Sequence, residues 1–139
     1  MSREAVEARI AAHPVTGSPQ QMRRAFDALA GSGPEGEPVS RGGVPARSFG
    51  AGPPVVWLHG GGYVFGSPQS HAAAATALAR RAGVEVYVPD YRLAPEHAWP
   101  APLEDACRFI EAFGAPVPVV GDSAGGHLAL TLARKMPQA

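Results

Sequence analysis

The residue whose surroundings most suggest chemistry is Ser123, in the stretch VVGDSAGGHLAL over residues 119–130. An apolar run stops at Gly121, Asp122 and Ser123, and a helical pattern begins at once. Gly121 to Gly125 fits G-x-S-x-G, a pattern that needs a strand, a sharp turn and a helix around it. Such a turn strains the backbone of its serine, and Gly121 and Gly125 remove side chains that would clash. The hydroxyl would then stand at the positive end of a helix, where backbone N–H groups can hold an oxyanion. The chemistry this offers is nucleophilic attack on a carbonyl. A glycine-softened loop with a capping serine fits the pentapeptide equally well. A second stretch, HGGGYVFGS over 59–67, directly follows an apolar run. Consecutive glycines, Gly60, Gly61 and Gly62, let a backbone turn its N–H groups into a cavity. The bulky Tyr63, Val64 and Phe65 argue against a flexible linker.

A serine nucleophile needs a base, and the chain has five histidines: His13, His59, His71, His97 and His127. Only His127 follows Ser123, and no Asp or Glu does. His127 lies one helical turn on, with side-chain roots about 5–6 Å apart in a regular helix. It is expected to pack beneath the turn rather than take the proton. His59 adjoins the glycine loop and reads as its brace. Asp90 and Arg92 read as solvated or locally paired charges. Glu104 and Asp105 open a helix, where carboxylates suit the dipole. Asp122 reads as a loop hydrogen-bonding group. Tyr63, Phe65 and Trp99 have the size to line a pocket, but apolar packing is the default for each, and Cys107 reads as a small core residue.

The elements that must position these residues follow from periodicity and punctuation. Helices are expected over 3–12 and 19–30, then a linker at 31–38. Two short strands flank Gly42 and Gly43 within 39–49. Strands at 54–58, 84–88 and 117–121 alternate with helices at about 68–82, 101–113 and 123–136. That alternation implies βαβ units, a mostly parallel sheet and helices on both faces. The expected division is two leading helices and a linker over 1–36 and an α/β core over 37–139.

Composition bounds the partners. The 139 residues carry 12 basic and 12 acidic side chains and are 45% hydrophobic. This balance suits a globular chain and gives no field that selects nucleic acid or an acidic membrane. No apolar run reaches the ~20 residues of a membrane span. Cys107 is the single cysteine, so no intrachain disulfide forms and a cytoplasmic setting is expected. The residues suggest no metal site and no cofactor.

HGGGYVFGS, PDYRLAPEHAWPAPLEDA and GDSAGGHLAL stand in an order that resembles the hormone-sensitive-lipase-like branch of the α/β-hydrolases, the bacterial family IV esterases. The resemblance runs from about residue 39 to the end and implies the α/β-hydrolase fold, apparently truncated after the nucleophile helix, with 1–36 as cap helices and linker and 37–139 as the N-terminal half of the hydrolase core. It implies Ser123 as nucleophile and the N–H groups of Gly61, Gly62 and Ala124 as oxyanion donors. His59, Gly60 and Asp90 would support the loop. The implied reaction is hydrolysis of a small carboxylic ester through an acyl-enzyme. In that branch the triad acid and histidine follow the serine on later strands, so this chain alone is expected to be nearly inactive. The strand at 117–121 would lie at an edge, covered by a C-terminal hydrolase fragment or by self-association. A small-ligand binder or a degenerate fragment on the same scaffold is the competing reading.

Overall fold

The computed structural model describes residues 2–31 and 33–137. Its elements run α1 (Arg3–Ala12), α2 (Pro19–Ala30), β1 (Glu37–Arg41), β2 (Val44–Gly50), β3 (Pro54–Leu58), α3 (Ala72–Ala82), β4 (Glu85–Pro89), α4 (Ala101–Glu111), β5 (Val119–Gly121) and α5 (Ala124–Lys135). Each expected element is present. Gly42 and Gly43, both with positive φ, close the β1–β2 hairpin. A capping box starts α2: Ser18 Oγ accepts from Gln21 N, and Gln21 Oε1 accepts from Ser18 N.

Three of the boundaries that differ from expectation have a clear local reason. The helix expected from 68 begins at Ala72 because Ser67 and Ser70 close a turn first. Each serine's Oγ accepts the other's amide, and Ser70 Oγ also donates to Ser67 O. The strand expected from 117 begins at Val119. Pro118 has no N–H to offer the ladder, although its carbonyl still accepts from Val56 N. The helix expected to reach 113 stops at Glu111, and tighter bonds to Phe113 and Gly114 finish it.

The sheet order is β1-β2-β4-β3-β5. The β1–β2 and β2–β4 pairs are antiparallel, whereas β3 runs parallel to both β4 and β5. Side chains alternate across it as period two requires. Val86 and Val88 join Ala72, Ala75 and Ala79 of α3 on one face. Tyr87 on the opposite face joins Phe109 of α4 and Leu128 and Leu132 of α5. Cys107 is buried in that second cluster, as its sequence context implied. Helices therefore cover both faces, and the parallel strands bring the loops after β3 and β5 together at one end of the sheet. Strand β5 has no outer neighbour among the described residues, the edge position expected for it.

Candidate active site

Strand β5 ends at Gly121 beside Leu58, the last residue of β3. The residues that follow both strands therefore meet. The corner is sharp because Ser123 takes φ 51°, ψ −120°, a conformation that costs a residue with a Cβ about 1–3 kcal/mol. A Cβ at Gly125 would run into the carbonyl oxygen of Leu58, and one at Gly121 into that of Gly125. Both glycines are thus close-approach positions between strand, corner and helix. Ser123 is exposed, and its side chain does not cap α5. Ala124 opens the helix behind it.

Asp122 ties this corner to the glycine loop. Its Oδ1 accepts from Gly60 N at 3.0 Å and from Trp57 Nε1 at 2.9 Å. His71 Nε2 stands 3.3 Å from the same oxygen. Burial pushes the Asp122 carboxyl up, but the Trp57 donor, the nearby His71 and the Gly60 amide outweigh it, and the net shift is downward. The expected role of Asp122 as a loop hydrogen-bonding group matches these contacts.

Gly60 faces Asp122, Gly61 bends the loop at φ 127°, and Gly62 continues it at φ 59°. Gly61 O accepts from the amides of Val64 and Phe65, closing the turn. His59 lies fully buried behind it. Its Nδ1 donates to Gly60 O, and its ring stacks on Tyr91 with centroids 4.1 Å apart. Desolvation lowers the His59 pKa to about 4, so the ring is neutral near pH 7. Tyr91 Oη donates to His59 O, which makes Tyr91 a direct brace of the loop. Asp90 makes its backbone bond to Pro45 O and lines a hollow with Gly66 and Ser67, at the far end of the glycine loop. Burial and the charge of Asp27 raise its pKa.

Several expectations are corrected. His127 is exposed instead of packing beneath the turn, and its Nδ1 lies 2.7 Å from Tyr63 Oη. Tyr63 is accordingly not a plain packing residue; it holds a left-handed φ of 63°. Trp99 is 50% exposed, its ring 5.8 Å from Tyr63 and 5.9 Å from His127. Arg92 pairs with Asp105 and Glu104, not with Asp90. Asp105 is buried and also binds the Arg92 amide and Arg108, a role beyond helix-dipole complementarity. Arg23 was not visible in the motifs: its guanidinium crosses from α2 to the glycine loop, and no spacing rule marks it.

The comparisons with known proteins bear on the fold and the family. The family described as the alpha/beta hydrolase fold matches residues 55–139. Over 107 residues the chain is 43% identical to the carboxylic ester hydrolase LipN of Mycobacterium tuberculosis, covering 66% of this chain and 28% of that protein. It is 44% identical over 96 residues to an ethyl acetate hydrolase of Pseudomonas putida, covering 62% and 30%. An esterase structure from the bacterial hormone-sensitive lipase family superposes with a TM-score of 0.85 at 34% identity, covering 99% of this chain and 54% of that one. The chain thus spans about half the length of that solved structure, and the matched stretches cover under a third of the curated relatives. On the sequence motifs, the fold and these matches together, the chain belongs to the α/β-hydrolase family, in its hormone-sensitive-lipase-like branch.

Proposed function

We propose that this chain carries the nucleophile and oxyanion hole of a carboxylic-ester hydrolase acting on small esters. The observation that carries the reading is the Gly60–Asp122 hydrogen bond, which joins the glycine loop to the serine corner. Ser123 Oγ attacks the ester carbonyl, and the amides of Gly61, Gly62 and Ala124 receive the developing oxyanion. The carbonyl–alkoxide bond breaks, the alcohol leaves with a proton, and water hydrolyses the acyl-serine. A histidine must carry those protons. Among the described residues neither His127, bonded to Tyr63 through Nδ1, nor the buried His59 makes a hydrogen bond to Ser123 Oγ, so this reading takes its base from a partner segment. The open β5 edge fits the same reading: a C-terminal hydrolase segment bringing acid and histidine would lie along it, with a second copy as the other occupant. The core of this unit is 37–139, with 1–36 as its cap.

The test is labelling by a fluorophosphonate, read by mass spectrometry, with Ser123→Ala as control. Labelling at Ser123 that the substitution abolishes is expected, slow in the chain alone and faster once a triad histidine is supplied. Labelling that persists in Ser123→Ala removes Ser123 from the mechanism. The exposed Ser123 hydroxyl, with no hydrogen bond to a histidine among the described residues, favours one second reading, a non-catalytic binder of small ligands on this scaffold. Ester binding without turnover, even with a histidine-bearing partner present, would favour that reading.

A further inference from the structure

Helix α2 has no buried residue, and its polar and aromatic contacts run to the loops after β3 and β4. Phe26 packs on Phe65 with centroids 4.9 Å apart, and Asp27 accepts from Ser67 Oγ. Gln20 reaches Glu96. The centre of this footprint is Arg23. Its Nε donates to Val64 O at 2.8 Å, and its Nη2 to Ala94 O at 2.9 Å. The same guanidinium grips Glu96 with two nitrogens, at 3.0 and 2.6 Å. Ala94 N in turn donates to Tyr63 O at 2.8 Å.

These bonds converge on one strained place. Tyr63 is left-handed, a conformation that costs a non-glycine residue roughly 1–2 kcal/mol and persists only where neighbours enforce it. The peptide that follows it, Tyr63–Val64, is held by Ala94 at Tyr63 O, the next one, Val64–Phe65, by Arg23 at Val64 O, and the side chain by His127. An exposed Arg–Glu pair alone would be worth about 0–1 kcal/mol. Charge-assisted bonds to main-chain carbonyls at a strained turn do something different: they fix where the Gly61–Phe65 turn lies.

We propose that Arg23 is a positioning residue, a clasp through which docking of α2 sets the geometry of the triple-glycine turn. Cap docking and loop order are then one equilibrium, and loosening α2 loosens the amides meant for the oxyanion. The part of this inference that concerns catalysis rests on the hydrolase reading above; the clasp itself does not.

The test is amide hydrogen exchange on the whole chain in R23Q, R23K and the exposed neighbour control R24Q. Exchange at Val64, Phe65 and Ala94 is expected to quicken by about tenfold in R23Q, to return partway in R23K and to stay unchanged in R24Q. Unchanged exchange at those three amides in R23Q, with faster exchange confined to α2, would overturn the clasp and leave Arg23 a mere attachment of the helix. Should R23Q fail to fold, E96Q weakens the guanidinium's outer pairing; about threefold faster exchange at Val64 is expected, and no change counts against the proposal. Fluorophosphonate labelling at Ser123 is followed in the same samples. A drop in R23Q at equal folded fraction supports the catalytic part. Wild-type protein that never labels, with or without an added histidine-bearing segment, sinks the hydrolase reading, while the exchange data still decide the clasp.

Discussion

Ser123 and Gly125 show how far single residues can be read from sequence. The strained serine and its close-packed glycines were legible because a strand-to-helix corner admits few solutions. The left-handed φ at Ser123 and the blocked Cβ at Gly125 are those solutions. Gly125→Ala is therefore expected to lose at least about 1–3 kcal/mol of stability in urea unfolding, since the added methyl meets fixed backbone. His59 gives a pH prediction. Its pKa falls from 6.5 in the unfolded chain to about 4 in the folded one. The unfolded chain thus binds the extra proton between those values, and the stability this ring contributes is complete above pH 6.5 and lost as pH falls toward 4. The loss is on the order of 3 kcal/mol. Unfolding curves across that window should show it, and His59→Gln should flatten the profile; an equal acid slope in both proteins would refute the assignment. Tyr63 and His127 were misread because their bond links residues 64 positions apart, and neither residue's local pattern encodes it.

At the scale of elements, alternation of apolar runs with capped amphipathic segments placed every helix and strand, but not how they are fastened. Helix α4 is the example. Its proline start and apolar face were legible, yet Asp105, read as a dipole partner, is its anchor to the loop after β4. Burial raises that carboxyl, but bonds from Arg92 and Arg108 outweigh the effect and lower its pKa overall. Asp105→Ala should cost about 2–3 kcal/mol, because it strands the Arg92 amide while both guanidinium groups can still reach water. Chemical denaturation would measure it, and a loss below about 0.5 kcal/mol would return Asp105 to the surface-charge class. Strand β5 was read too long for a complementary reason: Pro118 interrupts the donor row, which hydropathy does not register.

For the molecule as a whole, no helix among the described residues is long and apolar enough to cross a membrane. The feature that sets its solution behaviour is the unlike character of its two sheet edges. On the β5 side, Val120 and Leu130 are exposed beside a groove lined by Val117, Val119, Leu132 and Ala133. We expect the chain by itself to associate there, and Val120→Lys to shift the measured mass toward monomer. A monomer at high concentration before any substitution would refute this. On the other side, β1 carries Glu37, Pro38 and Arg41, with Arg41 laid over Tyr87 and Phe113. Charge and a missing donor make that margin a poor template. A ribbon with one raw border and one hemmed border can be joined once and then has nowhere left to grow. Two such molecules should therefore close on each other and stop, giving a discrete pair in light scattering rather than fibrils.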